Sequence, residues 1–169
     1  MKGISELGYK LERLIPSQWR DYKRIRLEAL QMHPEFFGSS YVKESTYAFE
    51  HWMTLLEDKN RALFALRHGE QLVGLAGVAV KKEDLEKALF YSTFIRAEHR
   101  RKGLSALFYQ ARIDWARQMG CRAIVVSHRT GNDASEAANR RFGFLYMDAE
   151  ETLWPDGERA EELRYVLEL

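Results

Sequence analysis

FYSTFIRAEHRRKGLSALFYQARIDWARQM, residues Phe90 to Met119, is the stretch that decides the fold. It begins as a strand. Phe90, Tyr91, Thr93, Phe94 and Ile95 are aromatic or β-branched, shapes that pack on a pleated, half-buried surface. It ends as a helix, because Leu104, Leu107, Phe108, Ala111, Trp115 and Met119 recur at the helical period. Between the two lies Arg100-Arg101-Lys102-Gly103. A helix start carries unpaired N–H groups and about half a positive charge. Cations and bare backbone placed there predict a site for an anion, most simply a phosphate. The turn is neither a Walker loop nor a dinucleotide fingerprint, since Gly103 stands without the other glycines and no Gly-Lys-Ser/Thr follows.

Working outward, Gly120 suits the end of that helix, and Arg122 to Ser127 (RAIVVS) reads as a buried strand. Residues 88–127 therefore predict a parallel crossover, right-handed as such units are. Its anion-binding turn falls at the carboxyl end of a strand, where open α/β sheets hold ligands. Upstream, residues 1–7 read as a loose start and Tyr9, Leu11 and Leu14 as a first strand. Ser17 is a candidate N-cap for a helix whose apolar face is Trp19, Tyr22, Ile25, Ala29 and Leu30. His33-Pro34 ends it, Phe36 to Ser40 reads as a loop, and Tyr47 to Leu56 as a second helix. Ala62 to Leu66 and Gln71 to Lys81 form a hairpin through His68-Gly69-Glu70. Downstream, Asn132 to Arg141 is a short helix with Ala134, Ala137 and Ala138 as its apolar face. A strand to Leu153, an Asp156-Gly157 turn and a last strand from Glu162 complete the chain. This order predicts a single domain over residues 1–169: an α/β chain with a mixed sheet and helices on both faces.

Composition narrows the function. Net charge is +1, so no basic field argues for a nucleic-acid partner. The apolar run Leu72 to Val80, interrupted by glycines, is a buried strand rather than a membrane span. The N-terminus has no signal-peptide core, which makes a cytoplasmic location the expectation. A lone Cys121 excludes internal disulfides and a cysteine metal cluster. His33, His51, His68, His99 and His128 have no metal-ligand spacing, so no metal is expected.

A second motif, NDASEAANRRFGF over Asn132 to Phe144, completes a pattern. With Arg100-Arg101-Lys102-Gly103-Leu104-Ser105 and the preceding Thr93 to His99, it resembles the GNAT superfamily of acetyl-CoA-dependent N-acetyltransferases. The family's pyrophosphate motif is Gln/Arg-x-x-Gly-x-Gly/Ala, and its later asparagine, short helix and Gly-Phe match Asn132 and Gly143-Phe144. The resemblance implies a central, mostly antiparallel sheet in which a parallel strand pair splays apart near Ile95 and Ser127. It implies that Thr93, Phe94 and Ile95 present the edge on which the pantetheine arm of acetyl-CoA lies. It implies that the amides of Arg101, Lys102, Gly103, Leu104, Ser105 and Ala106 hold the pyrophosphate, with charge from Arg100, Arg101 and Lys102. Asn132 contacts the cofactor arm in the same reading.

This chain departs from the family at Ser105, where glycine or alanine is usual, and at Asn139. Many members carry at that second place a tyrosine that protonates the departing thiolate. Asparagine is no acid near neutral pH, though it can hydrogen-bond sulfur. Tyr146 is a possible substitute. Candidates for relaying the amine proton are His128, Glu86 and Ser127, and the catalytic set stays open. Phe36 to Tyr41 are expected to line the acceptor pocket. The resemblance implies acetyl transfer by direct attack of a primary amine, carried by a small molecule or a peptide. Its alternative is a GNAT-fold module that binds acyl-CoA without turnover. Family members often dimerise, so the resemblance leaves room for a homodimer. A small phosphate- or nucleotide-binding domain is the reading unrelated to it.

Overall fold

In the computed structural model, which describes residues 3–169, the central strands are buried from both sides. Met1 and Lys2 of the expected loose start lie outside the described residues, and residues 4–8 make turns. The strands are β1 (Tyr9–Arg13), β2 (Arg61–His68), β3 (Gln71–Val80), β4 (Lys87–Ile95), β5 (Ala123–Arg129), β6 (Leu145–Leu153) and β7 (Arg159–Glu168). They form one seven-stranded sheet in the order β1-β2-β3-β4-β5-β7-β6. Every neighbouring pair is antiparallel except β4 and β5, the parallel pair joined through helix α4 (Ser105–Gln118).

Alternation along the strands separates two packing layers. On one face Leu63, Ala65, Leu75 and Phe94 meet Tyr22, Ile25 and Ala29 of α1 (Trp19–Met32) and Trp52 of α3 (Phe49–Glu57). On the other, Ala62, Val78, Ala88, Phe90, Ile124 and Val126 meet Tyr109, Ile113 and Ala116 of α4. A buried residue such as Leu63 or Ile124 contributes roughly 1.5–3 kcal/mol by leaving water. The near-continuous apolar run of β3 follows from cover on both faces. No helix of the described chain is long and apolar enough to cross a membrane.

Local details differ from the reading above. Ser17 sits inside a short 3₁₀ turn, Pro16–Gln18, and α1 begins after it at Trp19. The Phe36–Ser40 stretch leads into an extra short helix, α2 (Tyr41–Glu44), because the Ser40 hydroxyl accepts from the Lys43 N–H and caps it. α5 (Asp133–Arg141) buries Asn139, while Ala134 and Ala137 are exposed. Met119 falls just past the end of α4 and is also exposed.

Candidate active site

The site begins with one extra residue in β4. The β3–β4 register passes from Leu75↔Phe94 to Gly77↔Tyr91, so β4 bulges between them. Ser92 takes up the slack at φ 59, a left-handed conformation that costs an L-residue about 1–2 kcal/mol. The surroundings enforce it. Arg26 of α1 donates Nη1 to the Ser92 hydroxyl at 3.0 Å. The same guanidinium grips Glu44 of α2 with a two-pronged fork, at 3.0 and 2.9 Å. Opposite the bulge, Gly77 must be glycine, since a Cβ there would stand 2.6 Å from the Tyr91 ring.

Beyond the bulge, β4 and β5 part. Their parallel register covers Lys87↔Ala123, Ala88↔Ile124 and Leu89↔Val125 and then stops, although the strands run on to Ile95 and Arg129. The facing edges are left with backbone groups that an extended ligand can pair. Thr93 is exposed on this edge, and its Oγ1 accepts from Arg112 Nη1 at 2.9 Å. Phe94 buries its ring in the core and offers only backbone. The Ile95 carbonyl already accepts from Arg100 Nε at 2.7 Å.

The turn at the end of β4 is built as the sequence suggests. Arg101 and Gly103 both have positive φ, 62 and 76. The N–H groups of Arg101, Lys102, Gly103, Leu104 and Ser105 donate to no acceptor among the described residues. Ala106 N–H, expected to join them, already makes a long bond of 3.4 Å to the Gly103 carbonyl. Leu104 anchors the turn by burying its side chain. A Cβ on Gly103 would meet nothing within 4 Å, so the space above the bare amides is open. These features fit a pyrophosphate. Arg101 and Lys102 are exposed beside it. Arg100 instead turns back to the Ile95 carbonyl and to His33 Nε2, 2.8 Å away, and braces the turn. His99 supports it from below through a 2.6 Å hydrogen bond with the Tyr9 hydroxyl. Burial and the neighbouring His68 hold the His99 imidazole below its ordinary pKa, which keeps it neutral there.

Asn132 caps α5, its Oδ1 accepting from Ser135 N–H at 3.2 Å. Its amide nitrogen has no partner among the described residues. Asn139 is 1% exposed and turned into the protein, where Tyr109 donates its hydroxyl to Oδ1 at 2.5 Å. Its Nδ2 is buried without a hydrogen-bond partner.

On the opposite side of the splay lies a cleft of about 670 Å³. Phe36, Phe37 and Trp154 form its apolar wall, and Ser92, Ser127 and Glu162 its polar one. Arg129 ties the Phe36 segment to the Trp154 turn, donating to the Glu35 carbonyl at 3.1 Å and to Asp156 at 2.7 Å. That bond from Arg129 holds the Asp156 carboxyl below its usual range. Ser127 donates its hydroxyl to Glu162 Oε1 at 2.6 Å. Glu162 has no Lys or Arg within ion-pair distance among the described residues, and Arg26 is committed to Glu44. The cleft thus carries an unpaired carboxylate.

Of the proton-relay candidates, Ser127 and His128 both line the cleft, and Ser127 bonds directly to Glu162. His128 is 6% exposed, its nitrogens against the Arg129 carbonyl at 2.8 Å and the Tyr165 hydroxyl at 3.2 Å. Glu86 sits just before β4, at the end of the strand away from the splay, with Arg122 3.7 Å away. Tyr146 is exposed on the edge strand and lines no part of the cleft. Glu162 escaped the sequence reading. The alternation that buries Leu163, Tyr165 and Leu167 puts Glu162 on the other face, but only the β5–β7 register brings it to Ser127.

Comparison with known proteins agrees with this geometry. Residues 21–144 match the model of the acetyltransferase (GNAT) family. The fold is similar to an acetyltransferase of the GNAT family from Streptococcus pneumoniae, with a TM-score of 0.82 at 14% identity over 95% of this chain and 99% of that one. It is similar to yncA from Salmonella typhimurium, solved with its cofactor acetyl-CoA, with a TM-score of 0.80 at 15% identity over 96% and 94%. A ribosomal-protein-alanine N-acetyltransferase from Brucella melitensis gives 0.78 at 16% identity over 95% and 99%. No curated protein sequence matches. With the family model spanning most of the chain, and a parallel pair splayed beside a bare-amide turn, this protein belongs to the GNAT acetyltransferase family.

Proposed function

We propose that this protein is an N-acetyltransferase that joins the acetyl group of acetyl-CoA to a primary amine while both are bound. One observation carries the reading: the splay between β4 and β5 has the bare amides of Arg101 to Ser105 at one end and opens on a cleft holding an unpaired carboxylate. Acetyl-CoA supplies an activated acyl group on a sulfur leaving group. Arg101 to Ser105 bind its pyrophosphate, and the freed edge of β4 around Thr93 aligns its arm as an added strand. A backbone N–H on the freed end of β4, past the last β4–β5 pair, is the group to hold the developing oxyanion. Glu162, with Ser127 donating to one oxygen, keeps the other free to take the proton an ammonium acceptor must lose.

Acetyl-CoA is expected to raise the melting temperature, and amines to release its thiol. A protein stabilised by acetyl-CoA that releases no thiol with amines, amino acids, aminoglycosides or peptides is a binding module. Asn139 in place of an acid is the feature favouring that reading. Glu162→Gln keeps the Ser127 hydrogen bond and removes the base. Its kcat/KM at neutral pH is expected to fall about 100-fold. The deficit shrinks about tenfold per pH unit as the amine deprotonates itself. An unchanged pH–rate profile would exclude Glu162 as the base.

A further inference from the structure

Arg112 has no role in the site described so far, and its setting is unusual. It lies on α4 facing the sheet, 1% exposed. Its Nε donates to the Phe108 carbonyl at 3.2 Å, and its Nη1 to the Gly77 carbonyl at 3.3 Å and the Thr93 hydroxyl at 2.9 Å. The Phe90 ring lies 3.9 Å from its Cζ and the Tyr109 ring 5.3 Å. No carboxylate among the described residues pairs with it. Burial lowers its pKa to about 10, which leaves it cationic at neutral pH. A buried charge without a counter-ion is costly and finds its compensation at a functional site more often than elsewhere.

Two further facts place that compensation. Thr93, the acceptor for Arg112, is exposed on the splayed edge of β4, so the cation is one hydroxyl away from the open groove. Tyr109, beside Arg112, is tied to Asn139, the residue standing where an acid is usual, and Asn139 Nδ2 is buried and unpartnered. The protein therefore sets a buried cation one hydroxyl behind the groove, with a buried N–H that no described residue uses linked to its surroundings through Tyr109.

We infer that Arg112, acting through Thr93, is a positioning residue that stabilises the thiolate leaving group, so that no protein acid has to protonate it. The inference rests on the acetyltransferase reading above. Glu162 first takes the ammonium proton and passes it to water. The neutral amine nitrogen then bonds to the acyl carbon, the carbon–sulfur bond breaks with its electron pair going to sulfur, and the second proton, shed by that nitrogen, goes to the re-ionised Glu162. Arg112 keeps its protons throughout and supplies field alone. The bulge supports this arrangement, since it sets Thr93 between Arg112 and the groove while Ser92 faces Arg26.

The test uses free CoA and acetyl-CoA as paired probes, with affinities measured by calorimetry from about pH 6 to about pH 9. The two share every contact except the thiol, so other titrating groups cancel in the ratio. Those groups are Tyr109 on α4, Tyr91 on β4, His128 on β5, Tyr165 on β7, and His99, Arg101 and Lys102 at the turn. The thiol of CoA titrates above the roughly 8.5 of a cysteine side chain, and a nearby cation lowers it by about 1.5 to 2 units. Affinity for CoA relative to acetyl-CoA is then expected to rise about five- to tenfold across the range in the wild type. In Arg112→Met it stays within about twofold. Arg112→Lys keeps the charge without the fork and falls between them, which separates charge from packing. The thiolate absorbance of bound CoA reports the same midpoint directly. Two bound ligands with a flat ratio in the wild type overturn the inference alone. Failure of either ligand to bind overturns it together with the acetyltransferase reading.

Discussion

Gly103→Trp is expected to abolish the rise in melting temperature that acetyl-CoA gives the wild type, and to leave a folded protein. The backbone at Gly103 has φ +76, so any side chain there costs about 1–2 kcal/mol of stability. For a chain of this size that lowers the melting temperature by roughly 2–8 °C. A Cβ at this place meets nothing within 4 Å, so no core contact is lost. The indole instead fills the space above the free N–H groups of Arg101 to Ser105. Each charge-assisted bond to phosphate contributes about 1.5–3 kcal/mol, and losing two of them weakens binding by more than about 100-fold. At ligand 100-fold above Kd, the wild type gains about 2.7 kcal/mol. The variant gains almost none. Gly120→Trp is the control. It has φ +81, equally open space, and lies at the other end of α4. It should show the same loss of intrinsic stability and an undiminished shift. A Gly103→Trp protein that keeps its shift would mean the bare amides are not the pyrophosphate site.

Features carried by local pattern were legible in the sequence, and features set by distant partners were not. The turn at Arg100 to Gly103, the flanking strand and helix, the β2–β3 hairpin and the Asp156-Gly157 turn all follow from neighbouring residues. The bulge at Ser92 does not. It depends on Arg26 and Glu44, which reach β4 only after α1 and α2 have packed. The short helix α2 was hidden because four residues give no period to read. The face of α4 is legible in part, since Leu104, Phe108 and Trp115 are buried as the period predicts. The buried side includes Tyr109, Arg112, Ile113 and Ala116, and an arginine in its middle makes that side look like solvent. Asn139 illustrates the same limit. Its place in the motif gives no sign of the hydrogen bond it receives from Tyr109, thirty positions earlier in sequence. Glu162 needed the strand register before it could be set beside Ser127.

Removing one partner of the Arg26–Glu44 pair is expected to cost the most stability of any change at the site. Both side chains are about one-tenth exposed, at 11% and 10%. Glu44→Ala leaves the Arg26 cation buried without its counter-charge, a loss of about 3–5 kcal/mol. The melting temperature should fall by roughly 6–20 °C. The loss has a pH signature. Burial works to raise the Glu44 pKa, but the Arg26 fork, with Ser39 and His51, outweighs it and leaves the folded value below the ordinary 4.5. A carboxylate lowered in this way contributes its full stabilisation above the unfolded value and loses it as pH falls through the folded one. The gap between wild type and Glu44→Ala should therefore be constant near neutral pH and narrow below about pH 4.5. The double variant Arg26→Met/Glu44→Met separates stability from function. Replacing a whole buried pair by apolar side chains is often neutral or stabilising, so most of the melting temperature should return. Activity should not return, because the Ser92 hydroxyl loses the donor that holds the bulge at φ 59. Thermal melts and thiol release on the same preparations check both halves. If the double variant regains activity along with its stability, the ion pair serves packing alone, and the bulge is set by Gly77 and Tyr91 instead.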